Sequence, residues 1–102
     1  MSPNANERIV RVSKLILLEH AVPICLQKHS VNFPMPQIDP SWFDQKEKEW
    51  GVWNMSEEEF AAFEQKKLED YAKTLATVSP AFKDKVFTHV NHVMETLLSS
   101  YQ

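Results

Sequence analysis

The sequence predicts an all-α fold: a small bundle of about four helices, ending in an antiparallel helical hairpin and interrupted by a proline-rich connector. Three observations predict it. Apolar residues recur at spacings of three and four along most of the chain, the period of one helical face. Serine-led helix entries stand at Ser56 and at the Ser79-Pro80 pair. The chain of 102 residues contains one glycine, Gly51, too few for a fold built on tight β-hairpins. That length, with no break in composition, predicts one domain over residues 1–102.

The first helix is entered through Ser2 and Pro3 or through Asn4 and Asn6, which supply a cap or a pre-set first turn. Ile9, Val12, Leu15, Ile16, Leu18 and Val22 form its apolar face, although the β-branched residues around Ile9 and Val12 are also compatible with a strand start. Pro23 lacks a backbone donor and is expected to kink or end this helix near Val22. A further helical piece then runs to about His29, with Ile24, Cys25 and Leu26 inward. Residues 33–40 hold three prolines and read as an extended connector.

Asp39 or Ser41 caps a short second helix with Pro40 in its first turn, and Gly51 stops it. Phe43 and Trp50 share a stripe on this helix. Ser56 with Glu59 three residues on makes a capping box, Met55 and Phe60 occupy the positions of a hydrophobic staple, and Glu57, Glu58 and Glu59 suit the positive helix end. A helix follows from Glu57 to about Thr77, with an arc of Phe60, Phe63, Leu68, Tyr71, Leu75 and Val78. The last helix runs from Pro80 to about Ser99. Its stripe of Phe82, Val86, Val90, Val93 and Leu97, widened by Phe87, Met94, Leu98 and Tyr101, calls for more than one packing neighbour. The short link makes the last two helices a hairpin, with the N-terminal helix across it.

Composition narrows the function classes. A single cysteine, Cys25, forms no intramolecular disulfide, and the longest apolar run, Leu15 to Leu18, is far too short to cross a membrane or to serve as a signal peptide. A cytoplasmic setting without membrane contact is the expectation. Four cations (Arg8, Arg11, Lys14, Lys28) outnumber two carboxylates in the first 31 residues, whereas six carboxylates outnumber three lysines over residues 51–78. Two arginines in all are few for reading phosphates and base edges, so a nucleic-acid accessory role for the basic N-terminal helix is a lesser alternative.

Chemical motifs are missing. His89 and His92, three apart with Glu95 nearby, supply too few ligands for a zinc site, and no metal or other cofactor is expected. Glycine-rich phosphate loops and nucleophile elbows need glycines the chain lacks. Glu64 interrupts an apolar arc, either partly exposed or paired with Lys67, but has no second group for acid–base catalysis. The chain therefore reads as non-enzymatic.

The strongest functional signal is aromatic. Met35, Trp42, Phe43, Trp50 and Trp53, with all three tryptophans of the chain, concentrate between Phe33 and Met55. Tryptophan and methionine are enriched at interface cores, so these residues are candidates for contact with a protein partner; the competing expectation is that they cap the core. Assembly of several copies through the broad face of the last helix is a further alternative.

Overall fold

A computed structural model of the chain describes residues 3–30 and 40–100, with side chains described for 7–30 and 41–96. Among these residues there are four α-helices, α1 (Pro3–Lys28), α2 (Pro40–Trp50), α3 (Glu57–Ala76) and α4 (Pro80–Ser100), and a single 3-10 turn at Val52–Asn54. No strand occurs among the described residues. Residues 31–39, which hold most of the proline-rich connector and Met35, lie outside them.

Long-range contacts give the helix directions. Arg8 reaches Glu57, Arg11 reaches Glu64, and Tyr71 reaches Leu15 and Glu19, so α1 and α3 run the same way. His20 meets Trp42 while Arg8 bonds Val52, so α2 runs against α1. A hairpin returns α4 against α3, and the order is up-down-up-down. α1 packs on both members of that hairpin and on α2.

α1 is the central helix, and the structure decides two expectations for it. It does not end near Val22; as the other outcome expected at Pro23 had it, the helix runs on past the proline, to Lys28, where His29 takes the left-handed conformation (φ 51°) that closes many helices. The Pro23 ring is exposed, and the buried Ala21, Val22 and Cys25 around it hold the helix to its neighbours despite the missing donor. The apolar face is also wider than one stripe and begins later. Leu15, Ile16, Leu17 and Leu18 are all buried, since α1 has neighbours on three sides, whereas Ile9 is 48% exposed.

The remaining elements follow their local signals. Gly51 (φ 65°) ends α2 in the left-handed region that glycine adopts without a steric penalty, and starts the 3-10 turn. The capping box at Ser56 is complete: its hydroxyl accepts from the Glu59 amide at 3.1 Å, and the Glu59 carboxylate accepts from the Ser56 amide at 3.0 Å. These bonds to Ser56 hold the Glu59 carboxyl below its ordinary pKa. Met55 and Phe60 pack into one cluster, as a staple requires. Ser79 caps α4 by accepting from the Phe82 amide at 3.0 Å. Val78, assigned by spacing to the α3 arc, is 37% exposed, because α3 ends two residues earlier and the turn carries it outward.

Core residues form two clusters. Leu15, Leu18, Val22 and Cys25 of α1 meet Tyr71 and Leu75 of α3 and Phe82, Val86, Val90 and Met94 of α4. Val12 and Ile16 of α1 meet Val52 and Phe60 in the second. The stripe from Phe82 to Met94 is thus shared between α1 and α3, while the side chains of Leu97, Leu98 and Tyr101 lie outside the described residues. Cys25 is fully buried and that burial pushes its thiol pKa up, away from the reactive thiolate.

Candidate functional site

The α2–α3 connection sits beside the first turns of α1, and an arginine fastens it there. Arg8, only 8% exposed, donates to the carbonyls of Val52 (3.1 Å) and Met55 (2.8 Å) and to the Glu57 carboxylate (2.6 Å). One turn on, Arg11 forms a two-pronged pair with Glu64 at 2.9 and 2.6 Å. Both guanidinium groups stack on the buried Phe60 ring, at 4.9 and 4.8 Å from its centre. The Glu64 pair holds the Arg11 pKa above its ordinary value.

Glu64 therefore answers to Arg11, and Lys67, the partner expected from helical spacing, turns elsewhere. Lys67 lies 3.6 Å from the Glu19 carboxylate and 4.7 Å from the centre of the Trp50 ring. The signal that could have found the Arg11–Glu64 pair is a lone carboxylate in an apolar arc of one helix and an arginine at the edge of an apolar stripe in another. Spacing within either helix does not register it. The basic N-terminal surface is reduced accordingly, since Arg8 and Arg11 are both spent on internal contacts.

The structure divides the aromatic candidates. Trp42 is half-buried, edge-on to His20 at 5.5 Å and to Phe43 at 6.1 Å. Phe43 and Trp50 pack against both core clusters, and Trp50 lies 5.5 Å from Phe63. Met35 lies outside the described residues. Trp53 differs from the rest: it is 45% exposed, the only phenylalanine, tyrosine or tryptophan among the described side chains that faces solvent to this degree. Its ring is nonetheless held, because Nε1–H donates to the Glu47 carboxylate at 3.0 Å.

Trp53 forms one wall of a shallow depression whose other residues are Asp44, Glu47, Lys48, Gly51 and Asn54. Two of the other exposed large apolar residues, Ile9 and Val10, belong to the α1 turn that Arg8 ties to this connection, so they lie at the same end of the bundle. A second, open groove runs along α3 and α4 past Ala61, Leu68, Ala72 and Phe87. Its rim mixes charges, with Glu64 held by Arg11 and Lys83 beside Asp84 at 3.5 Å.

Among the described residues no three His, Cys, Asp or Glu side chains stand where they could share a metal ion, and His89 and His92 have no third ligand beside them. Among them, too, no helix is long and apolar enough to cross a membrane. Comparison of the chain with protein-family models, with curated proteins and with solved structures finds no match to any of them.

Proposed function

We propose that the chain is a non-enzymatic protein-interaction module, a small adaptor, inhibitor or assembly factor, which binds a protein partner through the bundle end that carries Trp53. The observation behind this reading is the contrast among the tryptophans. Trp42 and Trp50 are half-buried in packing contacts, while Trp53 keeps a large apolar face in water yet is pinned by Glu47. A ring held in place before contact has little side-chain entropy left to lose, and tryptophan is among the residues that dominate binding energy when covered. Exposed Ile9 and Val10 extend the apolar surface at that end. The buried, unreactive Cys25 suits a reducing compartment such as the cytoplasm.

Capture from a lysate of the native host, with the retained protein identified by mass spectrometry, tests the reading. Trp53→Ala should abolish capture and leave the circular-dichroism spectrum and melting temperature nearly unchanged. Trp42→Ala and Trp50→Ala should lower the melting temperature instead. Undiminished capture by Trp53→Ala would remove the reading.

A further inference from the structure

We propose that the partner presents an arginine, whose guanidinium stacks on the exposed Trp53 indole and pairs with the Glu47 and Asp44 carboxylates. This rests on the reading above and names the chemistry that its site would take. Three features of the depression support it. Trp53 is 45% exposed, and flat aromatic faces attract cations through the ring quadrupole, tryptophan most strongly. The indole N–H donates to a carboxylate, which pushes electron density into the ring and strengthens that attraction. Finally, Asp44 lines the depression with no ion-pair partner among the described residues, and Glu47 has only the neutral indole as its partner.

The surroundings favour a cation as well. In the first turn of α3, which follows this connection, Glu58 and Glu59 are exposed with no ion-pair partner among the described residues, and their charge draws positive ligands at long range. Lys48 is the one cation on the rim and opposes the rest. A guanidinium fits better than an ammonium, because it is planar, less strongly hydrated, and able to stack while its edge donates to a carboxylate. The molecule already uses this arrangement internally, where Arg11 lies on Phe60 and forks to Glu64.

Nuclear magnetic resonance of the full chain labelled with nitrogen-15 tests the inference, with the Trp53 indole signal assigned through its loss in Trp53→Phe. The probe is an acetylated, amidated peptide of alternating glycine and arginine, compared with versions carrying lysine or citrulline, the neutral isostere of arginine. The arginine peptide should move the Trp53 signal and leave those of Trp42 and Trp50 in place. It should bind about fivefold more tightly than the citrulline peptide and more tightly than the lysine peptide. Glu47→Gln retains an acceptor for the indole while removing the charge, and should weaken binding to a similar degree. Lys48→Gln should strengthen it.

Equal binding of the arginine and citrulline peptides, equal binding of the arginine and lysine peptides, no movement of the Trp53 signal, or indifference to Glu47→Gln would each overturn the inference. A captured partner that is lost with Trp53→Ala but kept with Glu47→Gln would also overturn it, leaving the interaction reading intact. A partner indifferent to Trp53→Ala would remove both.

Discussion

Arg11 and Glu64 meet through two hydrogen bonds across 53 positions of sequence, with each side chain about a quarter exposed. Forked geometry and partial burial set this pair above the ordinary surface ion pair, which contributes little. A double-mutant cycle with Arg11→Met and Glu64→Gln should give a coupling of about 1–2 kcal/mol, read by urea unfolding. A coupling near zero would reduce the pair to a surface contact. Tyr71 is a second residue whose setting makes a prediction. Burial first, then the hydrogen bond its hydroxyl donates to the Glu19 carboxylate, raise its pKa above the ordinary phenol value of about 10. The fold thus favours the neutral phenol, so its contribution is fully present below pH ~10 and is lost as pH rises above it. Tyr71→Phe should cost about 1–2 kcal/mol at neutral pH. Unfolding free energies of the two proteins should converge as pH climbs past 10, and a gap that stays constant would contradict this assignment.

At the scale of the element, the central question is why α1 continues through Pro23. Proline in a helix interior costs roughly 3 kcal/mol through the lost hydrogen bond and the clash with the preceding turn. The burial of Val22 and Cys25 against the α3–α4 hairpin offsets that cost. Pro23→Ala should therefore keep the same fold and stabilise it by about 1–3 kcal/mol, seen as a higher urea midpoint; a lower midpoint would mean that the ring contributes something its exposure does not reveal. Which of the two outcomes open at Pro23 holds is decided by packing rather than by local sequence. Signals confined to one turn were readable: the Ser56–Glu59 box, the Ser79-Pro80 entry and the Gly51 stop all stand where spacing put them. Signals that depend on distant neighbours were not. The three-sided burial of Leu15, Ile16, Leu17 and Leu18 and the exposure of Ile9 follow from where α2, α3 and α4 lie. The tryptophan concentration was visible as a cluster, but its division was hidden, because Trp42 is covered by His20 and Trp50 by Phe63. Only Trp53, on the one-turn connection, has no such cover.

Across the whole molecule, the half-buried aromatics decide whether two core clusters behave as one. Phe43, Trp50 and Phe63 each pack against both the α1–α3–α4 cluster and the smaller one around Val12, Ile16, Val52 and Phe60. Without such a bridge, the smaller cluster would be secured chiefly by the Arg8 bonds to the α2–α3 connection and by the stacking of both arginines on Phe60. Of the two bridging rings that Lys67 overlies, Trp50 is the nearer, at 4.7 Å against 5.9 Å for Phe63, and Lys67 in turn faces Glu19 of α1. Trp50→Ala should then do two things. It should lower global stability by about 2–3 kcal/mol, somewhat under the cost of removing a fully buried aromatic. It should also split the cooperative unit, so that one part opens before the other. Native-state hydrogen exchange resolves both effects: in the unsubstituted chain the Phe60 amide and the Val86 and Val90 amides should open with the same free energy. In Trp50→Ala the Phe60 amide should open at lower cost than the other two. If all three fall together, the molecule is one core with two lobes, and Trp50 fills space between them without coupling them.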